Sequence, residues 1–327
     1  MKLKLLVIFF CCCLQSLVLG QHKEVLDSFS LTSSPPEKTM VSSKTIKTLA
    51  QGSKKNGLKK TPKDTTIYTW KTFNGSRIIN GHSLETQEKG ILEFLLAHRF
   101  GRINGSFYEL FGLDQASMRM GFEYGITNSL TLGLGRSTLG KNYDFYAKFQ
   151  FLYQKTGKGA FPFSATWLST IAVTTLKNNN PNRTPYYFTH RLSYSNQLMI
   201  GRKFSEHFSL MLMPTHVHFN LVEKIGDKND IFAIGIATKV QISHVFALNL
   251  EFYYTPIEQS TKKLQHSLSI GLDINTGNHL FQIHLSNSEG MIEKAFIGET
   301  TGNWLKGDIH IGFNMIRTFK LKGRKYH

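Results

Sequence analysis

Glu93, Arg99, Arg119, Glu123, Lys148, Lys239, Glu251, Asp273, His284, Asp308 and His310 are the side chains through which this chain could do chemistry in an enclosed space. Each falls on the polar parity of a run whose other parity is apolar. Carboxylates, cations and imidazoles gathered in a narrow interior neutralise one another by ion pairs and hydrogen bonds. A histidine beside a carboxylate could also bind a metal or select an anion. If the last of these runs closes on the first, His310 and Asp308 are expected near Arg99 or Glu93, with His284 one strand away. His216 and His218 share a face near the end of another run, a spacing that permits a metal site and that a polar girdle at a membrane interface also presents.

Catalytic constellations do not stand out. Among 13 histidines and many serines some pairing always occurs, and there is no Gly-rich phosphate loop, zinc-protease helix or nucleophile elbow. Cys11, Cys12 and Cys13 are the only thiols and lie together in the N-terminal segment. That excludes, for the rest of the chain, a disulfide framework, a Cys-ligated zinc or iron–sulfur site and a Cys nucleophile. No catalytic residue, metal ligand set or cofactor is assigned.

The elements that must position these residues alternate with period two. Phe145, Ala147, Phe149, Phe151 and Tyr153 share one face, against Lys148, Gln150 and Gln154. Met118/Met120/Phe122/Tyr124 oppose Arg119/Gly121/Glu123, and Leu248/Leu250/Phe252/Tyr254 oppose Asn249/Glu251. About twelve such runs follow, near 88–100, 117–125, 130–137, 143–155, 161–174, 187–201, 207–219, 230–241, 245–255, 264–274, 279–287 and 305–319. Tight links at 127–129, 205–206 and 276–278 alternate with long ones at 101–115, 177–185, 223–229 and 288–303. The polar face is Gly, Ser, Thr, Asn and Gln with few charges, which suits a small polar lumen better than the charged outside of a soluble barrel. Aromatics at strand ends, among them Tyr186-Tyr187-Phe188, Tyr253-Tyr254 and Trp304, are placed as interfacial girdles. The expected fold class is all-β: a transmembrane antiparallel up-and-down barrel of about twelve strands.

Lys2 and Lys4, the apolar run from Leu5 to Cys13 and the small Gly20 make residues 1–20 a signal peptide, too short in its apolar core to span a bilayer. Residues 21–66 are a lysine-rich, low-complexity tether, and 67–327 the barrel. The charge balance, 39 basic against 22 acidic residues or +17, includes that tether, and export removes nucleic acid as a partner.

Several longer stretches carry a resemblance. Ile79-Asn80-Gly81-His82-Ser83, Asp273-Ile274-Asn275-Thr276-Gly277-Asn278-His279, Gly290-Met291-Ile292-Glu293-Lys294-Ala295-Phe296-Ile297 and Gly307-Asp308-Ile309-His310-Ile311-Gly312-Phe313-Asn314 are among them. Over roughly 70–320 the chain resembles an uncharacterised outer-membrane β-barrel family of Bacteroidota, a domain of unknown function. The resemblance implies fold and location and brings no activity or catalytic residues.

The expected protein is therefore an outer-membrane barrel of a Gram-negative bacterium with both termini periplasmic, in contact with outer-membrane lipid and lipopolysaccharide. A narrow pore or transport-related barrel for small solutes is the favoured function. A lipid-modifying hydrolase and a structural barrel that recruits a partner through its loops or tether are the alternatives. If the lumen conducts past Arg119, Lys148 and Lys239, a weak anion preference is expected.

Overall fold

The computed structural model describes residues 65–177, 186–222, 226–256, 263–277 and 279–321; the signal segment and the tether through residue 64 lie outside the described residues. Alternation of apolar and polar side chains becomes twelve wall strands: β2 (Ile91–Arg102), β3 (Ala116–Gly125), β4 (Leu130–Ser137), β5 (Asn142–Leu152), β7 (Ser164–Thr174), β8 (Leu192–Lys203), β9 (Phe208–Phe219), β10 (Asp230–Gln241), β11 (Phe246–Tyr254), β12 (Ser267–Asn275), β13 (His279–Ser286) and β14 (His310–Lys320). Each pairs antiparallel with its neighbour, and β14 pairs with β2, so the sheet closes and has no free edge. No described helix is long and apolar enough to cross a membrane.

The two faces separate as the alternation requires. Met120, Phe122, Phe145, Phe149, Phe232 and Ile234 lie exposed on the outer wall, while Arg119, Glu123 and Lys148, one residue away in sequence, are buried inside. An exposed apolar belt on this scale is unfavourable in water and favourable in lipid. Tyr253 departs from the expected girdle: it turns inward and is fully buried, with only Tyr254 on the outside.

Tight turns join the strands at one end, at 126–129, 204–207, 242–245 and 276–278, and longer segments at the other, at 103–115, 175–191, 220–229, 255–266 and 287–309. Two connections break the rule. The β5–β7 link lies at the short-turn end yet carries β6 (Lys155–Gly157), which pairs with β1 (Thr66–Tyr68), and the β4–β5 link at the long-loop end is short.

The lumen is not empty. From Thr69, whose N–H donates to the Gln154 carbonyl at the short-turn end, the chain runs into the barrel and back out to β2. It reverses in a hairpin: the Ile78 N–H donates to the Gly81 carbonyl at 3.0 Å, the Ser83 N–H to the Ser76 carbonyl at 2.9 Å, and Arg77 bridges His82. Phe73, Ile78, Ile79 and Leu84 of this hairpin are buried against the inward Leu168, Met199, Met211, Met213 and Tyr253. From the long-loop end, the β13–β14 segment sends in α1 (Glu293–Gly298), whose Phe296 and Ile297 join the same cluster. Strand-period reasoning assigned residues 69–87 no element, because the hairpin has too few alternating residues to register as a strand pair.

Candidate functional site

The wall charges singled out in the sequence hold the hairpin as well as pairing with one another. Glu251 accepts the backbone N–H of Ile79 at 3.2 Å and of Gly81 at 3.0 Å. Glu93 accepts the Ser76 hydroxyl and, at 2.7 Å, the Gln87 side-chain amide. Lys148 donates to the carbonyls of Glu85 at 2.9 Å and Ser76 at 3.3 Å. Arg99 donates to the Asn80 side chain at 2.6 Å, and Lys239 and Asp273 both reach Asn74. Neutral wall residues complete the seat: Asn314 donates to the Ile79 carbonyl, Gln282 to that of Ile78 and Thr166 to that of Leu84. A hairpin inside a closed barrel cannot use the wall's backbone, already committed to the ladder, so its polar groups must be met by side chains. Gly81 permits the close approach, because a Cβ there would lie 2.5 Å from the Tyr253 hydroxyl oxygen.

Where hairpin and α1 meet, a second set is buried. Arg77 lies 3.7 Å and His82 3.5 Å from Glu293 Oε1, and the other His82 ring nitrogen is 3.8 Å from Glu123. Tyr146 donates to Glu123 at 2.8 Å and lies flat across Gly133, where a Cβ would collide with its ring at 2.1 Å. Arg119 pairs with Asp144 through both Nε and Nη2. In all, five buried cations, Arg77, Arg99, Arg119, Lys148 and Lys239, face six buried carboxylates, Glu93, Glu123, Asp144, Glu251, Asp273 and Glu293, among the described residues. No group among the described residues could hold a metal.

The closing seam departs from expectation. Asp308 is not in the lumen: it precedes β14, in the loop, where it pairs with Arg102 at 3.1 Å and accepts from Asn104 and from the Asn303 backbone. The Asn303 N–H, then the Asn104 amide, hold its carboxyl below the usual range. Glu93 pairs across the seam with Thr318, whereas His310 pairs with Arg102 at the opposite end of the strands, so no His/carboxylate group forms there. His310 meets the Phe100 carbonyl at 2.8 Å, and His284 pairs with Gly312, itself opposite Arg99. His216 and His218 lie on the outer wall, where both meet the same Asp230 oxygen, at 2.7 and 2.8 Å.

Beyond the hairpin, at the long-loop end, opens a vestibule of ≈480 Å³ lined by Asn142, Thr174, His190, Arg191, Ser193, Glu289, Lys294 and Glu299, among others, with α1 and its flanking loop as one side. Lys294 donates to Thr174 at 3.1 Å and lies 3.8 Å from Glu299. Arg191 is tied to the carbonyls of Thr174 and Leu176. Sequence reading missed Arg77, Asn80, His82, Asp144 and Glu293 as lumen residues. The Asn80-Gly81 pair inside an apolar stretch was the available signal of a turn.

Residues 73–319 match the family described as membrane bound beta barrel domain (DUF5777). The chain belongs to this family. The match starts at Phe73, so it takes in the lumen hairpin as well as the wall, and ends at Phe319 in β14. No curated protein matches the chain. Solved structures similar to it include the NanC porin, at 8% identity and TM-score 0.44 over 70% of this chain and 100% of that one, and the KdgM porin, at 7% and 0.42 over 72% and 99%. The translocator domain of the autotransporter NalP from Neisseria meningitidis is similar at 10% identity, with TM-score 0.33 over 72% of this chain and 90% of that one.

Proposed function

We propose that this DUF5777 barrel is a gated outer-membrane transport protein for small solutes, in which the N-terminal hairpin is the stopper. The observation that carries the reading is the seat itself: a chain segment fills the lumen, held by side chains of the wall, beneath a polar vestibule. A structural barrel needs neither a vestibule nor a removable filling. The hairpin continues directly from the segment at the short-turn end, so a pull or a binding event there would act on the stopper. In this reading the short turns face the periplasm.

Full-length protein in a planar bilayer tests this. The parent should conduct little. Gly81→Leu, which cannot seat against Tyr253 and Glu251, should conduct measurably, and so should a chain lacking 71–88. With the hairpin out, Arg77 leaves the lumen, and the wall strands retain four cations, Arg99, Arg119, Lys148 and Lys239, against five carboxylates, Glu93, Glu123, Asp144, Glu251 and Asp273. The reversal potential should then show a weak cation preference, opposite to the expectation from Arg119, Lys148 and Lys239 alone. A freely conducting parent, or silent variants that retain heat-modifiable mobility, would rule the stopper out.

A further inference from the structure

In the vestibule two cations gather around one threonine. Arg191, just before β8, donates twice from Nη1, to the Thr174 carbonyl at 3.2 Å and the Leu176 carbonyl at 2.6 Å, and its guanidinium lies 4.9 Å from the centre of the Tyr186 ring. These contacts fix the side chain and leave Nε and Nη2 without a protein partner; among the described residues no carboxylate pairs with it. Lys294 reaches the same threonine from α1, donating to its hydroxyl at 3.1 Å. The carboxylate beside them, Glu299, stands 3.8 Å from the Lys294 ammonium, which is within ion-pair range and beyond hydrogen-bond reach, so its oxygens are open as acceptors. Ser193, on the wall behind, is 4% exposed, and its hydroxyl is buried with no hydrogen-bond partner. A buried hydroxyl left unpaired is unfavourable unless a ligand or water meets it. Arg191, Ser193, Lys294 and Glu299 all line the same cavity.

The order of these groups selects a chemistry. A guanidinium with free donors next to an ammonium suits a carboxylate, which can accept from both. Glu299 works against a simple anion, because a second carboxylate beside it is repelled, and it supplies the acceptor that an ammonium needs. A solute with its carboxylate and ammonium close together answers all three charges. Leu192, Phe219 and Ile231 line the cavity as well, and ≈480 Å³ leaves room for an apolar side chain. A solute of no net charge also suits the lumen beyond, where buried cations and carboxylates nearly balance.

We propose that the vestibule is a binding site for a small zwitterion of the amino-acid class, its carboxylate held between Arg191 and Lys294, its ammonium on Glu299 and its apolar side chain over Leu192 and Phe219. Ser193 donates to the bound carboxylate. Binding requires only the barrel and α1; taking this ligand as the transported solute rests on the transport function proposed for the barrel.

Equilibrium dialysis of the full chain in detergent against radiolabelled leucine tests the site. Two competitors divide the ligand: 4-methylpentanoate is leucine without its ammonium, and 3-methylbutylamine is leucine without its carboxylate. The expected result is saturable binding at a single site per barrel, displaced by unlabelled leucine and by neither competitor at the same concentration. Arg191→Gln and Glu299→Gln should each weaken binding by about tenfold, the scale of one hydrogen bond to a charged group, while heat-modifiable mobility reports an intact barrel. Absence of saturable binding, or binding that both variants leave unchanged, would overturn the site. Displacement by 4-methylpentanoate as strong as by leucine would overturn the zwitterion and leave a carboxylate site. Leucine binding retained in a barrel whose Gly81→Leu variant stays silent in the bilayer would sink the transport reading alone, and conduction without leucine binding would sink this one alone.

Discussion

Leu84 is fully buried in the lumen, and its carbonyl accepts from Thr166, so it anchors the returning arm of the hairpin by packing and by hydrogen bond. Leu84→Ala should weaken the seat by about 2–5 kcal/mol, the range for truncating a buried leucine, without touching the lipid face. Limited proteolysis within 71–88 of the folded barrel should become faster, and unchanged protection would show that packing there is not limiting. Asp308 is the residue-scale test at the other end. Its carboxyl is held below the ordinary value by Asn303 and Asn104, so its contribution to the loop clasp is complete above the unfolded value of 3.8 and is lost as pH falls through the folded one. Acidification should therefore raise amide exchange in residues 303–309 before the barrel is affected, and Asp308→Asn should remove that pH dependence. Exchange in this loop that ignores pH between neutrality and the acid range would discard the clasp.

At the scale of the element, the strands depend on which face each residue takes. Phe149 is half exposed on β5 and points into the belt, while its neighbour Lys148 is sealed inside on hairpin carbonyls. Phe149→Arg should destabilise the barrel by about 2–4 kcal/mol if the site lies near the mid-bilayer, read as a shift in the urea midpoint of refolding into vesicles. A negligible shift would place β5 outside the hydrocarbon. The hairpin is the element that period-two reasoning could not identify. Its only β-bridge among the described residues joins Arg77 and His82, and further polar backbone groups are met by side chains from β5, β7, β11, β13 and β14, which a local pattern does not contain.

Among the described residues, a closed wall, a hairpin entering from the short-turn end and α1 entering from the long-loop end leave a vestibule opening at the long-loop side. A peptide tag inserted at Asp227-Lys228, in a long connection beside that vestibule, should be labelled in intact cells, and one at Thr276-Gly277, in a tight turn, should not. The opposite pattern would invert the barrel and with it the side from which the hairpin enters.

Alternation alone was enough to define the twelve strands, their two faces and the inward placement of Glu93, Arg99, Arg119, Glu123, Lys148, Lys239, Glu251, Asp273, His284 and His310, because side-chain direction in a strand follows local backbone geometry. What those inward groups touch is a different matter. Glu93 and His310 fall at opposite ends of the seam through the stagger of β14 on β2, and Asp308 falls outside the wall because the strand begins two residues later. Glu251 and Lys148 meet the hairpin rather than only other wall charges because a segment far away in the chain enters the same space. Register, closure and the filling of an interior are set by contacts between residues distant in sequence, so only the tertiary structure could decide that this lumen is occupied.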